Sequence, residues 1–206
     1  EFESRCPVAV DQHQLGGAVE PGDGESKIAS ILFTDIQGFS TVSEKLTPKE
    51  LARMLNEYFG AMSEVIAEHG GVITHFEGDL MLITFNAVSP NEDHAANAIR
   101  TAMAIQKVAG GRTFGKGATL KTRCGINTGE IVIGAVGTMD RLTFTVHGDN
   151  VNVAARLEQL NKEYGTYIMV TESTAASCGH AFSFKPVCEV TVRGRKAPTK
   201  VFTVQS

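Results

Sequence analysis

The alternation of short apolar runs with longer amphipathic segments constrains the fold of this chain more than any other feature. The run Ile28–Phe33 ends in Thr34-Asp35, as a buried strand would. The next segment starts with Thr47-Pro48-Lys49-Glu50, which has the residues of a helix N-terminus with a capping box. Apolar residues then recur with the helical period as far as Ile66, and Gly70-Gly71 ends the pattern. A strand followed by a long amphipathic helix is therefore predicted.

The middle of the chain predicts two more strands and a second helix. The runs Val72–Phe76 and Leu80–Phe85 flank Glu77-Gly78-Asp79, which indicates a β-hairpin. Ser89-Pro90-Asn91-Glu92 repeats the cap pattern and predicts a helix that continues to about Val108.

A second hairpin is predicted from Thr119–Ile126 and Glu130–Val136, with its turn at Asn127-Thr128-Gly129. The resulting order β-α-β-β-α-β is that of the split βαβ, ferredoxin-like arrangement. We therefore predict an α+β fold with a central, mostly antiparallel sheet flanked by helices.

The ends of the sequence differ in character. Residues 1–26 show no sustained periodicity and contain Gly16-Gly17 and Pro21-Gly22-Asp23-Gly24, which is typical of a flexible tail or linker. Residues 27–206 are expected to form one domain. Its C-terminal extension is predicted as a strand-like arm at Arg141–His147, a helix from about Asp149 to Asn161, and short strands near Tyr167–Val170, Val187–Val192 and Val201–Val204.

Composition excludes some classes of function. The net charge of −4 argues against nucleic acid as the main partner, because proteins that bind phosphate backbones are usually basic. No apolar run approaches the ~20 residues of a transmembrane helix, so no membrane contact by this piece is expected. The four cysteines are far apart and form no CxxC pair, which favours a reducing compartment. We predict a cytoplasmic domain, whether or not a longer protein carries a membrane anchor.

Two aspartates fall at turns of the predicted sheet. Asp35 ends the first strand, and Asp79 lies in the tight turn of the next hairpin. Because these strands are neighbours in a split βαβ sheet, both carboxylates are expected at one edge. Like charges that close are unfavourable unless a cation neutralises them. Hard oxygen ligands favour Mg²⁺ or Mn²⁺, with substrate phosphates as further ligands; alternatively, each aspartate only forms its turn.

Other polar positions suit a phosphate-containing substrate. Gly38 lets the backbone pass close to phosphates, and the N–H groups of Ile36 to Ser40 are available to bind them, although a simple turn glycine is equally compatible. Asn152 and Arg156 are four residues apart and share one helix face. An amide and a guanidinium on one face suit ribose positioning and neutralisation of a developing negative charge. The alternative is a solvated polar face.

Taken together, these motifs resemble the class III adenylyl and guanylyl cyclase family. The matching stretches are FTDIQGFS (33–40), EGDLMLITF (77–85), RCGINTGEIVIGAVG (123–137) and TVHGDNVNVAARLE (145–158). The similarity runs from about Ile28 to Val204. It implies a nucleotide cyclase that uses two Mg²⁺ or Mn²⁺ ions per active site.

The resemblance implies a role for each matching position. Asp35 and Asp79 correspond to the two metal-binding aspartates, and Ile36 is grouped with them in the metal site. Asn152 and Arg156 correspond to the pair that positions the ribose and stabilises the transition state.

The substrate phosphates are assigned to a second group of residues. Gly38 and Phe39 lie in the loop whose N–H groups would face the phosphates. Arg123 corresponds to a phosphate-contacting arginine. Arg193 falls where many members of the family have a lysine that holds the terminal phosphates, and arginine keeps the charge and adds a fork of donors.

His75 and Thr145 correspond to the positions that read the base. Adenylyl cyclases typically have lysine at the first and aspartate or threonine at the second, and threonine is common among bacterial members. A neutral imidazole at His75 can donate one hydrogen bond to adenine N1 or accept one, depending on its tautomer. Guanylyl members usually have an acidic residue there, whereas Glu77 lies two residues away and is expected to face the other side. ATP is therefore favoured over GTP.

In this family the metal aspartates and the Asn–Arg helix come from opposite subunits. The resemblance therefore implies a homodimer with shared active sites, clasped through the arm at Gly137–His147, that converts ATP into cyclic AMP and pyrophosphate. A regulatory domain is expected elsewhere in the full-length protein. Two alternatives stay open: a guanylate cyclase that makes cyclic GMP, and a non-catalytic nucleotide-sensing domain, which the presence of both aspartates, the asparagine and the arginine disfavours.

Overall fold

A computed structural model describes residues 24–138, 141–191 and 198–205, and of 135–138 and 141–144 it describes the backbone only. The helices and strands, in chain order, are β1 (Gly24–Ile36), α1 (Phe39–Ser43), α2 (Pro48–Glu68), β2 (Val72–Glu77), β3 (Leu80–Phe85), α3 (His94–Gly111), β4 (Thr122–Thr138), β5 (Arg141–His147), α4 (Asp149–Tyr164), β6 (Ile168–Thr171), α5 (Glu172–Ser177), β7 (Ser183–Val190) and β8 (Thr199–Gln205).

The described strands form one sheet in the order β2-β3-β1-β4-β6-β8-β7, and β5 pairs with the far end of β4. Strands β2, β3, β1 and β4 are antiparallel to their neighbours in this order, which confirms the predicted ferredoxin-like core. Strand β4 pairs with β6 in parallel, whereas β8 pairs with both β6 and β7 in antiparallel orientation. The sheet is therefore mostly antiparallel, as predicted.

Helix α2 begins where the capping box predicts. The Thr47 hydroxyl accepts from the Glu50 N–H at 3.4 Å, and the Glu50 carboxylate accepts from the Thr47 N–H at 2.9 Å. The apolar stripe of the helix, with Met54, Tyr58 and Met62, is buried in the core.

Side chains of β1 alternate between two apolar clusters. Leu32 and Ile36 pack with the buried faces of α2 and α3, whereas Ala29 and Ile31 pack with Ala154 of α4. Helices therefore cover both faces of the sheet. Asp35 follows the alternation of Ala29 and Ile31 and lies on the α4 side.

The predicted hairpin at Asn127-Thr128-Gly129 is wrong, because β4 runs without a turn from Thr122 to Thr138. These residues are turn-like in composition, but α4 packs closely on this part of the strand. A Cβ built on Gly125 would lie 2.2 Å from the Glu158 backbone nitrogen, and one on Gly129 would lie 2.5 Å from the Asn150 side chain. The glycines are needed for contact with a helix and not for a turn.

The predicted start of the second helix is also wrong. Helix α3 begins at His94, and Asp93 at its N-cap makes no side-chain cap hydrogen bond. Asn91 instead ties the loop to the end of α2, since its amide donates to the His69 carbonyl at 3.2 Å and its N–H donates to Asn86 Oδ1 at 2.9 Å. A loop fixed by such tertiary hydrogen bonds can carry a cap-like sequence without starting a helix.

Among its described residues, the C-terminal extension contains a helix that the sequence did not predict. This helix, α5, is short and is capped by Thr171, whose hydroxyl accepts from the Thr174 N–H. The arm at Arg141–His147 is a strand, as predicted, and α4 extends three residues beyond Asn161. Within the described ranges, no helix combines the length and the hydropathy that crossing a bilayer requires. Of the predicted tail at 1–26, residues 1–23 lie outside the described residues, whereas Gly24–Ser26 are not a tail but the first residues of β1, paired with β4.

Candidate active site

Asp35 and Asp79 meet at one end of the sheet. Strands β1 and β3 are antiparallel neighbours, which places the β2–β3 turn beside the end of β1. The Ile36 N–H donates to Asp79 Oδ2 at 3.0 Å and fixes this carboxylate against β1. Burial, together with the neighbouring Asp35 carboxyl, raises the pKa of Asp79 to about 6. The expected juxtaposition of the two aspartates is therefore present in one chain.

A buried ion-pair network lies behind these carboxylates. Arg123 is opposite Asp35 in the β1–β4 register and donates to its carboxylate. The Arg123 Nε also donates to Glu158 Oε1 of α4 at 3.0 Å. The side chains of Arg123 and Glu158 are 8% and 5% exposed, and burial raises the pKa of Glu158. One guanidinium therefore offsets only part of the charge of the three nearby carboxylates Asp35, Asp79 and Glu158.

The two aspartates fit a hard divalent cation. Across residues 24–138, 141–191 and 198–205, no group of three or more His, Cys, Asp or Glu side chains is placed to bind a metal together. A cation held by Asp35 and Asp79 would take its other ligands from the backbone, water and substrate phosphate. Mg²⁺ is commonly bound in this way.

The loop that follows β1 starts at this site. Gly38 is exposed and has φ 71°, a left-handed conformation that favours glycine, and it precedes the short helix α1. Phe39 packs partly against the main core cluster. The loop is therefore anchored by Phe39, while Gly38 stays open to solvent.

The strands that carry His75 and Thr145 approach each other. His75 is exposed on β2 opposite Leu82, and Leu82 shares an apolar cluster with Val146 of β5. Strand β5 lies against β2, and Thr145 is partly buried. Both predicted base-reading positions are thus in the same part of the fold.

The expectation that Glu77 faces away from His75 is wrong. The register pairs His75 with Leu82 and Glu77 with Leu80, so both side chains lie on one face of β2. The period of two along a strand requires this result, since residues two apart share a face.

Asn152 and Arg156 lie on the outer side of α4. Both are exposed, while Ala154 and Leu157 are buried and Glu158 faces the sheet. Arg156 donates to the Thr191 carbonyl at 3.0 Å. The pair therefore points away from the aspartates of its own chain.

Three residues remain: Arg193, which was predicted as a site residue, and Glu158 and Asn127, which were not. Arg193 lies outside the described residues. Glu158 and Asn127 were not predicted as site residues, although both are buried and contact the elements that form the site. No local signal identifies Glu158, because its partner Arg123 is distant in sequence. A polar residue in the middle of a strand, between two glycines, is the signal that could have identified Asn127.

Comparison with known proteins identifies the family of this chain. The family model for the adenylate and guanylate cyclase catalytic domain matches residues 24–206, and the chain belongs to this family. Adenylate cyclase 1 of Rhizobium meliloti is 38% identical over 177 residues, which cover 84% of this chain and 27% of that protein. The chain therefore spans about a quarter of the length of this relative.

Solved structures of both adenylyl and guanylyl cyclases share the fold. A bacterial light-regulated adenylyl cyclase has a TM-score of 0.78 and 28% identity, over 88% of this chain and 53% of that one. The guanylyl cyclase Cya2 has a TM-score of 0.73 and 31% identity, over 88% of this chain and 93% of that one. These structural neighbours confirm the α+β fold and leave the choice of base to the site residues.

Proposed function

We propose that this chain is the catalytic domain of an adenylate cyclase, which converts ATP into 3′,5′-cyclic AMP and pyrophosphate at sites shared by two protomers. The observation that carries the proposal is the pairing of Asp35 and Asp79 at one end of the sheet, backed by Arg123. Membership of the cyclase family and the similarity to named adenylate cyclases support it.

In this proposal Asp35 and Asp79, with the backbone at Ile36, would hold two Mg²⁺ or Mn²⁺ ions. Bound divalent cations lower the pKa of a ribose hydroxyl and offset phosphate charge. The ribose 3′-hydroxyl would lose its proton to water as its oxygen attacks the α-phosphorus in line, and the bond from that phosphorus to the oxygen bridging to the β-phosphate would break. Arg193 would receive the negative charge of the leaving pyrophosphate, and Arg123 would reach a phosphate only on leaving the Asp35 carboxylate. The N–H groups at Gly38 and Phe39 would bind the remaining phosphate oxygens.

The orientation of α4 supports a site shared by two protomers. Asn152 and Arg156 point outward from α4, so they serve a site on a second copy of the chain. The partner's Asn152 positions the ribose. The partner's Arg156 stabilises the charge that builds on the α-phosphate, an interaction of the kind that contributes about 10²–10³ in rate. A monomer would be inactive.

The adenine base is assigned to His75 and Thr145. This assignment is supported by the exposure of His75 on β2 and by the position of β5, which carries Thr145 and lies against β2. A guanylate cyclase is the second candidate. It is favoured by Glu77, a hydrogen-bond acceptor for guanine N1–H and N2–H on the same face as His75, and by the likeness to Cya2.

The context of the domain is part of the proposal. Since the chain spans about a quarter of its bacterial relative, we place a regulatory segment elsewhere in the full-length protein. Its substrate is a cytosolic nucleotide, so the domain acts in the cytoplasm.

The test is product formation from ATP and from GTP, with Mg²⁺ or Mn²⁺, by the wild type and by Asp79→Ala. The proposal predicts cyclic AMP from the wild type and a loss of about 10²–10³ in rate for the variant, since a ligand of the catalytic cations is removed. Glu77→Gln serves as a specificity control. If this change removes a dominant cyclic GMP activity, the guanylate cyclase candidate is correct and the adenine assignment is wrong.

A third outcome would overturn the enzymatic proposal altogether. Absence of any cyclic product at high protein concentration with Mn²⁺ would leave a domain that only binds nucleotides. The assays are run over a dilution series, because a weak dimer with shared sites loses specific activity on dilution.

A further inference from the structure

Asn127 is a fully buried amide in the middle of β4, and all of its side-chain hydrogen-bonding groups are used. Its Nδ2 donates to the Asn150 carbonyl at 2.9 Å and to Asn150 Oδ1 at 3.0 Å. Its Oδ1 accepts from Thr171 Oγ1 at 2.8 Å and from Ser173 Oγ at 3.3 Å. A single side chain therefore joins the start of α4 to the end of β6 and the cap of α5.

The helix that Asn127 contacts lies unusually close to the sheet. Gly125 and Gly129 flank Asn127 on the same face of β4, and a Cβ on either glycine would overlap α4. Asn150 also donates from Nδ2 to the Glu130 carbonyl at 2.8 Å, which adds a second tie on the same turn of the helix. The two glycines set how near α4 approaches, and Asn127 sets where along the strand it sits.

The N-cap of α4 is Gly148, with φ 138°, and glycine has no side chain with which to cap the helix. Asn127 and Asn150 hold the first turn against β4 from the side. Asn152 is only two residues after Asn150, and Arg156 is one turn further, so a shift of this turn moves both.

We infer that Asn127 is a positioning residue for the cyclase reaction, which acts through α4 on the active site of the partner protomer. This inference depends on the proposed function, since it needs shared sites. Asn127 touches neither substrate nor metal. Its loss lets α4 move on β4, and a misplacement of about 1 Å in a catalytic group can cost roughly 10²-fold in rate.

The test uses Asn127→Asp, which keeps the acceptor for Thr171 and replaces the two donations to Asn150 with repulsion between oxygens. Tyr58→Phe is the matched control. It also removes one buried hydrogen bond, to Thr122 at 2.8 Å, but on the α2 side of the sheet. Each variant is assayed alone and as a mixed dimer with Asp79→Ala or with Arg156→Ala.

Mixed dimers distinguish a positioning role from a general defect. In a mixed dimer of Asn127→Asp with Asp79→Ala, the Asp79→Ala protomer supplies an intact α4 to the aspartates of the other protomer. This mixture should therefore recover as much activity as a mixture of Asp79→Ala with Arg156→Ala. Arg156→Ala supplies no working helix, so it should give no recovery. Tyr58→Phe should show no dependence on the partner. Recovery with Arg156→Ala instead, recovery with neither, or wild-type activity of Asn127→Asp alone would contradict the inference.

Hydrogen–deuterium exchange gives a readout that does not depend on dimers or activity. Amides in the first turns of α4, residues 149–157, should exchange about 10-fold faster in Asn127→Asp, because the two buried hydrogen bonds that hold this turn to β4 are lost. Tyr58→Phe should leave this segment unchanged. Unchanged exchange in Asn127→Asp would overturn the inference, while failure of Asp79→Ala and Arg156→Ala to complement each other would count against the proposed function instead.

Discussion

Arg156 and Glu158 are two residues apart on α4 and point in opposite directions. Glu158 is buried and holds Arg123, which in turn holds Asp35 of the same chain. Arg156 is exposed on the outer side. In the proposed dimer one helix therefore serves two active sites, since its inner face supports the metal aspartates of its own protomer and its outer face completes the site of the partner.

Removal of Glu158 should destabilise the protein. In Glu158→Ala the buried guanidinium of Arg123 keeps Asp35 but loses the acceptor at its Nε, and a buried donor left without a partner typically costs about 1–3 kcal/mol. Glu158→Gln keeps an acceptor oxygen and should lose clearly less. Urea denaturation measures both variants, and equal stabilities for the two would show that the hydrogen bond at Nε does not matter.

Gly125→Ala should also destabilise the fold, by about 3 kcal/mol, because the new methyl group would overlap the backbone of α4. Gly60→Ala is the control, since Gly60 lies exposed within α2 and its added Cβ would meet nothing within 4 Å. This control should gain roughly 0.5–1 kcal/mol from helix propensity. Thermal unfolding of both variants provides the comparison, and a stabilised Gly125→Ala would mean that α4 is not seated on β4 as described.

His94 should make stability depend on pH. Its ring lies at the start of α3, with Nδ1 2.9 Å from Ser30 Oγ, and burial lowers its pKa below the usual value near 6.5. A group whose pKa is lower in the folded state binds protons more tightly when unfolded, so its contribution is complete above pH 6.5 and is lost as the pH falls below that value. The free energy of unfolding of the wild type should therefore fall more steeply between pH 7 and pH 5 than that of His94→Gln.

Urea titrations at several pH values measure this difference. Comparing the two proteins removes the contribution of every other group that titrates in the range. Parallel profiles for the wild type and His94→Gln would show that the His94 ring is free to take up a proton in the folded state.

Local chemistry in the sequence was enough to predict part of the fold and of the site. The capping box at Thr47, the β2–β3 turn at Asp79 and the element order all depend on residues close together in the chain. The meeting of Asp35 with Asp79 followed from that order, because neighbouring strands of a split βαβ sheet bring their ends together.

The errors arose where contacts between distant residues override local pattern. Gly129 resembles a turn glycine, but it is a glycine because a Cβ there would overlap the Asn150 side chain of α4. Asn91 resembles part of a helix cap, but it bonds to the end of α2. Glu158 gave no signal at all, because its partner Arg123 lies on another element. Only Glu77 was misjudged for a local reason, since the period of two along β2 already places it beside His75.

Complementation between two inactive variants tests the shared site most directly. Asp79→Ala lacks a metal ligand and Arg156→Ala lacks the outer arginine of α4, so each homodimer should be nearly inactive. On mixing, half of the dimers should contain one protomer of each kind, and each of these has one intact site. The account therefore predicts recovery to about a quarter of wild-type activity. No recovery in a mixture shown to contain mixed dimers would mean that each active site is built within one chain, and would contradict the account.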